Sequence, residues 1–277
     1  MVKHQNLPIL PHHQPRRYGS SDRCIYCGSL DGLTKEHIIP YALGGTWIFP
    51  KASCKTCAKI TAAFEGQFCR TILGPLRMLY NMPTRRPKER PRHLALKVKY
   101  PSSNDWEIAY VDRDICPFLI GLPLYPLPSA LTGKQTNEVS GSATREFWLR
   151  GGGFWQDRDS HLQWLCNILG AVQVMPMAEV QTDPFCLTLA KIAHAFTAAE
   201  LGNGGFKPFL TEMVRHRDVS RCSELIGGGR GNEMPSEAVH EIKFDEEAAS
   251  KGLIVVFVRL LAVLGAPTYS VVSGTTN

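Results

Sequence analysis

The chain has 277 residues, a net charge of +6, 44% hydrophobic residues and nine cysteines. That length allows one large domain or two ordinary ones, and the composition is that of a soluble globular protein rather than a short secreted disulfide framework. The positive charge is local: Arg70 to Lys99 holds nine Lys and Arg against Glu89 alone, so this segment is +8 and the rest sums to −2.

Residues 1–22 are rich in Pro, His, Arg and Ser without periodicity and read as a flexible, weakly basic arm, with His12 and His13 in a solvated tail. The arm has no apolar run with a small-residue cleavage site, so no signal peptide is expected. Cys24 and Cys27 then form one Cys-x-x-Cys pair, and Cys54 and Cys57 a second. Four thiolates at this spacing can close a tetrahedral zinc site, which has no open coordination position and is therefore structural. Leu33 to Pro40 suggests a short strand carrying Glu36 and His37 and stopped by Pro40; Gly44 and Gly45 mark a turn, and Trp47 to Ala52 reads as a second strand. After Ser53, a candidate cap, the second pair leads into a helix with Ile60, Phe64 and Phe68 as its apolar stripe. Strand, turn, strand and helix make a compact ββα unit in which zinc pins the helix start.

Pro75, Pro83, Pro87 and Pro91 break the basic segment into extended or turn conformations around a short helix at Leu73 to Tyr80. Leu94 to Tyr100 and Glu107 to Val111 alternate as strands, Pro117 to Thr132 reads as a covered loop, and residues 133–145 as a polar, mobile stretch. Phe185 to Leu201 is a helix with Asp183 or Thr182 as cap, Pro184 in its first turn, Gly202 at its end, and Leu189, Ile192, Ala193 and Phe196 as its inner face. His194, beside that face, reads as a packed or surface histidine. Leu253 to Leu264 and Thr268 to Val272 are two further strands joined by Gly265-Ala266-Pro267. The longest apolar run, Gly252 to Ala266, carries Arg259 and is too short to span a bilayer, so no membrane partner is expected. Cys69, Cys116, Cys166, Cys186 and Cys222 are scattered singly, as small buried thiols are, which points to a reducing cytoplasm.

The central stretch resembles the HNH endonucleases, in the branch where two Cys-x-x-Cys knuckles bracket a ββα-metal motif. The residues that carry the resemblance are Cys24-Ile25-Tyr26-Cys27, Glu36-His37-Ile38-Ile39-Pro40, Gly44-Gly45 and Cys54-Lys55-Thr56-Cys57, within roughly residues 20–70. The resemblance implies hydrolysis of DNA phosphodiester bonds, with neutral His37 as general base and Glu36 as ligand of a divalent cation, Mg²⁺ or Mn²⁺. The chain departs from the family at two places. Ala58 stands just after the last cysteine, where many relatives place Asn or His, and Phe49-Pro50-Lys51-Ala52-Ser53 holds no Asn. Among helix residues Thr61 lies one turn from Ala58 and Glu65 two turns; carboxylate chemistry favours Glu65 as substitute ligand, and a solvated helix face is the other explanation. Arg70, Arg77, Arg85, Arg86, Lys88, Arg90 and Arg92 are candidate phosphate contacts, although their spacing by prolines also suits a soluble linker.

The expected fold is α+β. It comprises a flexible arm (1–22), a small zinc-bound ββα-metal, HNH-like module (23–70), a basic connector (71–99) and a larger mixed α+β domain without an assigned role (100–277). The expected function is a metal-dependent HNH-type endonuclease acting on DNA. The alternative is a zinc-stabilised nucleic-acid-binding protein that has lost catalysis, as Ala58 and the absent Asn suggest. A third reading treats the first 70 residues as a zinc scaffold for a protein partner. Oligomeric state has no signature in the chain.

Overall fold

A computed structural model describes residues 10, 14–133, 146–152, 158–177, 180–229 and 233–277. The chain divides into two compact units, one of residues 11–68, 123–148 and 181–277, the other of residues 1–10, 69–122 and 149–180. Each unit draws on separate stretches of the chain, in contrast to the linear order of module, connector and domain. His12, His13 and residues 134–145 lie outside the described residues.

The zinc module lies in the first of these units. β1 (Arg16–Arg17), β2 (Leu33–His37) and β3 (Trp47–Cys54) form a sheet with β3 in the middle, β2 antiparallel and β1 parallel to it. Glu36 pairs with Phe49 and His37 with Ile48, and the register shifts between Thr34 and Glu36, so the strand is irregular just before the Glu-His dipeptide. A turn over Tyr41–Leu43 follows Pro40 and ends at Gly44, whose φ is +79°. A Cβ on Gly45 would lie 2.1 Å from the Ile39 carbonyl oxygen, so this turn admits no side chain there. β3 runs into α1 (Lys55–Thr71), with Phe64 and Phe68 buried and Ile60 half-buried, as its periodicity predicts. Cys54, not Ser53, precedes the helix: its Sγ accepts from the Cys57 N–H at 3.4 Å, a role the preferred capping oxygen usually fills.

The second unit begins at the end of α1 and holds most of the basic segment. α2 (Gly74–Leu79) is the short helix expected there. β4 (His93–Lys99) pairs antiparallel with β5 (Glu107–Asp112). β6 (Phe118–Pro123) replaces the expected loop: Phe118, Ile120 and Leu122 are buried in a continuous apolar run with no alternation to mark it as a strand, bounded by Pro117 and Pro123. After α3 (Ser129–Thr132), β7 (Phe147–Gly152) pairs with β6. α4 (Arg158–Leu169) is followed by β8 (Gln173–Pro176), which lies antiparallel to β4 on its other edge. Leu96, Val98 and Val111 from the sheet meet Leu165 and Cys166 of α4 and Val174 of β8 in one core.

The rest of the chain completes the first unit. α5 (Thr182–Leu201) is buried on every side from Pro184 to Ala198, not only along the inner face expected. Each fully buried Leu, Ile or Phe on it contributes about 1.5–3 kcal/mol. β9 (Phe206–Pro208), α6 (Thr211–His216), α7 (Cys222–Leu225), β10 (Ile226–Gly228), β11 (His240–Phe244), α8 (Glu246–Ala249), β12 (Leu253–Leu260) and β13 (Tyr269–Thr276) follow. Their strands form an antiparallel sheet in the order β10-β13-β12-β11, with β9 also on β13, and α5 packs on β12 and β13. Cys186 and Cys222 form a disulfide, which corrects the reading of both as isolated thiols and weakens the argument for a reducing compartment. Cys69, Cys116 and Cys166 are buried and outside any disulfide, as expected. No helix among the described residues is long and apolar enough to cross a membrane.

Candidate active site and zinc centre

Cys24 and Cys27 lie in the turn before β2, Cys54 ends β3, and Cys57 is in the first turn of α1. Gly28, at φ +76°, closes the first knuckle by donating its N–H to the Cys24 carbonyl at 2.9 Å. All four sulfurs lie within 4.8 Å of one another, and Cys27 Sγ is 3.7 Å from Cys54 Sγ. A tetrahedron with Zn–S bonds of about 2.3 Å has S–S edges of about 3.8 Å. The cluster therefore fits a structural zinc.

Glu36 and His37 end β2, whose other end, Leu33, pairs with Cys54, and their two side chains part there. His37 is half-buried with its ring 5.6 Å from that of Tyr41. Glu36 turns inward and is 5% exposed. Its carboxylate meets Lys191 of α5, whose ammonium lies 2.6 Å from Glu36 Oε1 and 2.8 Å from Glu65 Oε1. The same Nζ donates to the carbonyl oxygens of His37 and, at 3.2 Å, Ile38. Burial alone lowers the pKa of this ammonium, but the charges and hydrogen bonds of Glu36 and Glu65 outweigh it and the net direction is up. Lys191 is thus a charged, fully buried side chain. Close by, the Tyr26 hydroxyl is buried with no hydrogen-bond partner among the described residues; burial first, then the charges of Glu36 and Glu65, push its pKa upward.

Other residues of the C-terminal stretch hold the module by its backbone. His194 Nε2 lies 2.8 Å from the Ile25 carbonyl oxygen, and burial lowers the pKa of this ring to about 4, so it is neutral. His240 Nε2 lies 2.9 Å from the Leu43 carbonyl oxygen, while its Nδ1 accepts from the Leu261 N–H. His194 is therefore packed, the first of the two roles considered for it.

The expected site residues fare differently. The four cysteines come together, and Glu36 and Glu65 also converge, but on an ammonium. Two carboxylates and two carbonyl oxygens are the kind of donors that Mg²⁺ or Mn²⁺ takes. With Lys191 at their centre, these residues as folded do not fit the divalent cation that the resemblance implies. Thr61 is buried, and its hydroxyl donates to the Ala58 carbonyl at 3.3 Å. Among the basic residues, Arg77 is buried with its guanidinium on the carbonyls of Cys69 and Pro83, which corrects its place among the phosphate contacts. Arg90 is half-buried and donates to Asn81 Oδ1 and the Met82 carbonyl. Arg86 pairs with Glu89 at 3.2 Å, and Arg70, Arg85, Lys88 and Arg92 are exposed.

Sequence reasoning missed Lys191, although a signal was present. A single lysine inside the run from Phe185 to Ala198, which is apolar around the whole helix, has no solvated face to occupy and requires a buried counter-charge. The identity of that partner depends on tertiary structure.

The family model described as HNH endonuclease matches residues 24–71. No curated protein and no solved structure matches the chain. The matched residues run from the first cysteine of the cluster to the end of α1, so what is similar to the HNH endonucleases is the same ββα unit that the four cysteines close.

Proposed function

We propose that this chain is an HNH-type endonuclease that hydrolyses DNA phosphodiester bonds, with His37 as its general base. The observation that carries the reading is the placement of His37: half-buried beside Tyr41, at the end of β2, with its backbone carbonyl accepting from Lys191. A neutral imidazole so placed takes the proton from a water as that water attacks the phosphorus, and the bond from phosphorus to the leaving sugar oxygen breaks, that oxygen taking up a proton from solvent. Glu36 keeps its backbone place in the motif, but its carboxylate is engaged by Lys191, so no step is assigned to a cation bound there. Arg70, Arg85, Lys88 and Arg92, exposed on their own unit, suit contacts to phosphates.

A second reading, nucleic-acid binding without catalysis, is favoured by one specific observation: the engagement of Glu36 by Lys191 in a chain that also has Ala58 at the helix start. Supercoiled plasmid incubated with zinc-loaded protein separates the two. Cleavage with Mg²⁺, Mn²⁺ or chelator supports the nuclease; tight binding with intact plasmid across Mg²⁺, Mn²⁺, Ni²⁺ and Co²⁺ selects the binder.

A further inference from the structure

Glu36 of β2 and Glu65 of α1 both lie within the family-matched residues, whereas Lys191 lies outside them. One nitrogen with three protons is surrounded by two carboxylate oxygens, at 2.6 and 2.8 Å, and two backbone carbonyl oxygens. Such a set is what a hard divalent cation takes, and a cation at its centre would collide with the ammonium. The surroundings also oppose sharing. Lys191 is fully buried, Glu36 nearly so, and a helix buried on all sides lies behind them, so a cation such as Mg²⁺ would have to shed the waters it gives up reluctantly.

We infer that Lys191 is the resident cation of this site, and that a divalent cation binds Glu36 and Glu65 only when the Lys191 ammonium is removed. The inference rests on the reading of Glu36 and Glu65 as a facing pair and not on whether the protein cuts DNA. It gives Lys191 a positioning role: one ammonium joins the strand and the helix of the module and fixes the backbone at His37. It also ties the state of the module to α5, since displacing Lys191 requires movement of that helix or of its side chain.

The test is a titration with Mn²⁺, followed by electron paramagnetic resonance, on full-length zinc-loaded protein. Zinc loading keeps Mn²⁺ from the cysteines. Wild type and Glu36→Gln are expected to show the same weak, unsaturated binding. Lys191→Met, which keeps the length of the side chain and removes its charge, is expected to gain one saturable Mn²⁺ site per chain, tighter than any in wild type by about tenfold or more. Adding Glu65→Gln to Lys191→Met should abolish that site. A saturable Mn²⁺ site in wild type that Glu36→Gln removes would overturn the inference, and so would a folded Lys191→Met protein that gains none. If Lys191→Met does not fold, Lys191→Gln takes its place, with the same gain expected and the same absence of gain overturning the inference. These titrations are independent of cleavage, so an inactive protein that behaves as described loses the nuclease reading and keeps this one.

Discussion

At the scale of single residues, Lys191 and His194 act on the module in opposite charge states. Lys191 is a buried cation facing two carboxylates, so Lys191→Ala removes the counter-charge that buried Glu36 and half-buried Glu65 share. Removing one partner of a buried pair costs about 3–5 kcal/mol, and urea unfolding at neutral pH should show a loss of that size, against less than about 1 kcal/mol for truncation of an exposed lysine such as Lys88. His194 is neutral and buried, with a folded pKa near 4 against 6.5 for an unperturbed ring. The unfolded chain therefore binds the extra proton between these values. Stability is fully present above pH 6.5 and falls as pH drops toward 4, by up to about 3 kcal/mol for this group. His194→Gln, which retains a donor for the Ile25 carbonyl, should flatten the stability-against-pH curve in that window. A curve unchanged from wild type would mean that the His194 ring has the same pKa in the folded and unfolded chain.

At the scale of elements, the ββα module was legible because its signals are local. The Cys-x-x-Cys spacings, Pro40, the Gly44-Gly45 turn and the stripe of Ile60, Phe64 and Phe68 each constrain the backbone within a few residues. The expected strands and helix differ from those observed by only a few residues at their ends. What escaped was non-local or masked. β6 is an unbroken apolar run among prolines, and α5 was assigned one inner face because amphipathic helices are the common case, whereas this one is enclosed. The site followed the same division: the cysteines and the Glu-His dipeptide can be read from spacing, but that Glu36 faces a lysine 155 positions later cannot. A zinc held by the four cysteines would join the turn before β2 to the start of α1 and contribute on the order of 10 kcal/mol to the module. Cys54→Ser or prolonged chelation should release one zinc per chain and melt the circular dichroism of the module; a fully folded, zinc-free protein would rule out zinc as its scaffold.

At the scale of the whole molecule, the basic charge sorts into two roles. Arg77 and Arg90 stabilise their own unit through backbone carbonyls, so Arg77→Ala should lower stability with little change in the salt dependence of DNA binding. Arg85, Lys88 and Arg92 are exposed, and their joint replacement by Ala should flatten the slope of log affinity against log salt by roughly 0.9 for each phosphate no longer neutralised. An unchanged slope in filter binding or fluorescence anisotropy would assign these residues to solubility.

The nuclease reading stands on His37 as its general base, and the cleavage rate of supercoiled plasmid by wild type and His37→Ala tests it most directly. The prediction is a fall of about 10²-fold or more with zinc content and DNA affinity near those of wild type. Cleavage by His37→Ala at the wild-type rate would contradict it.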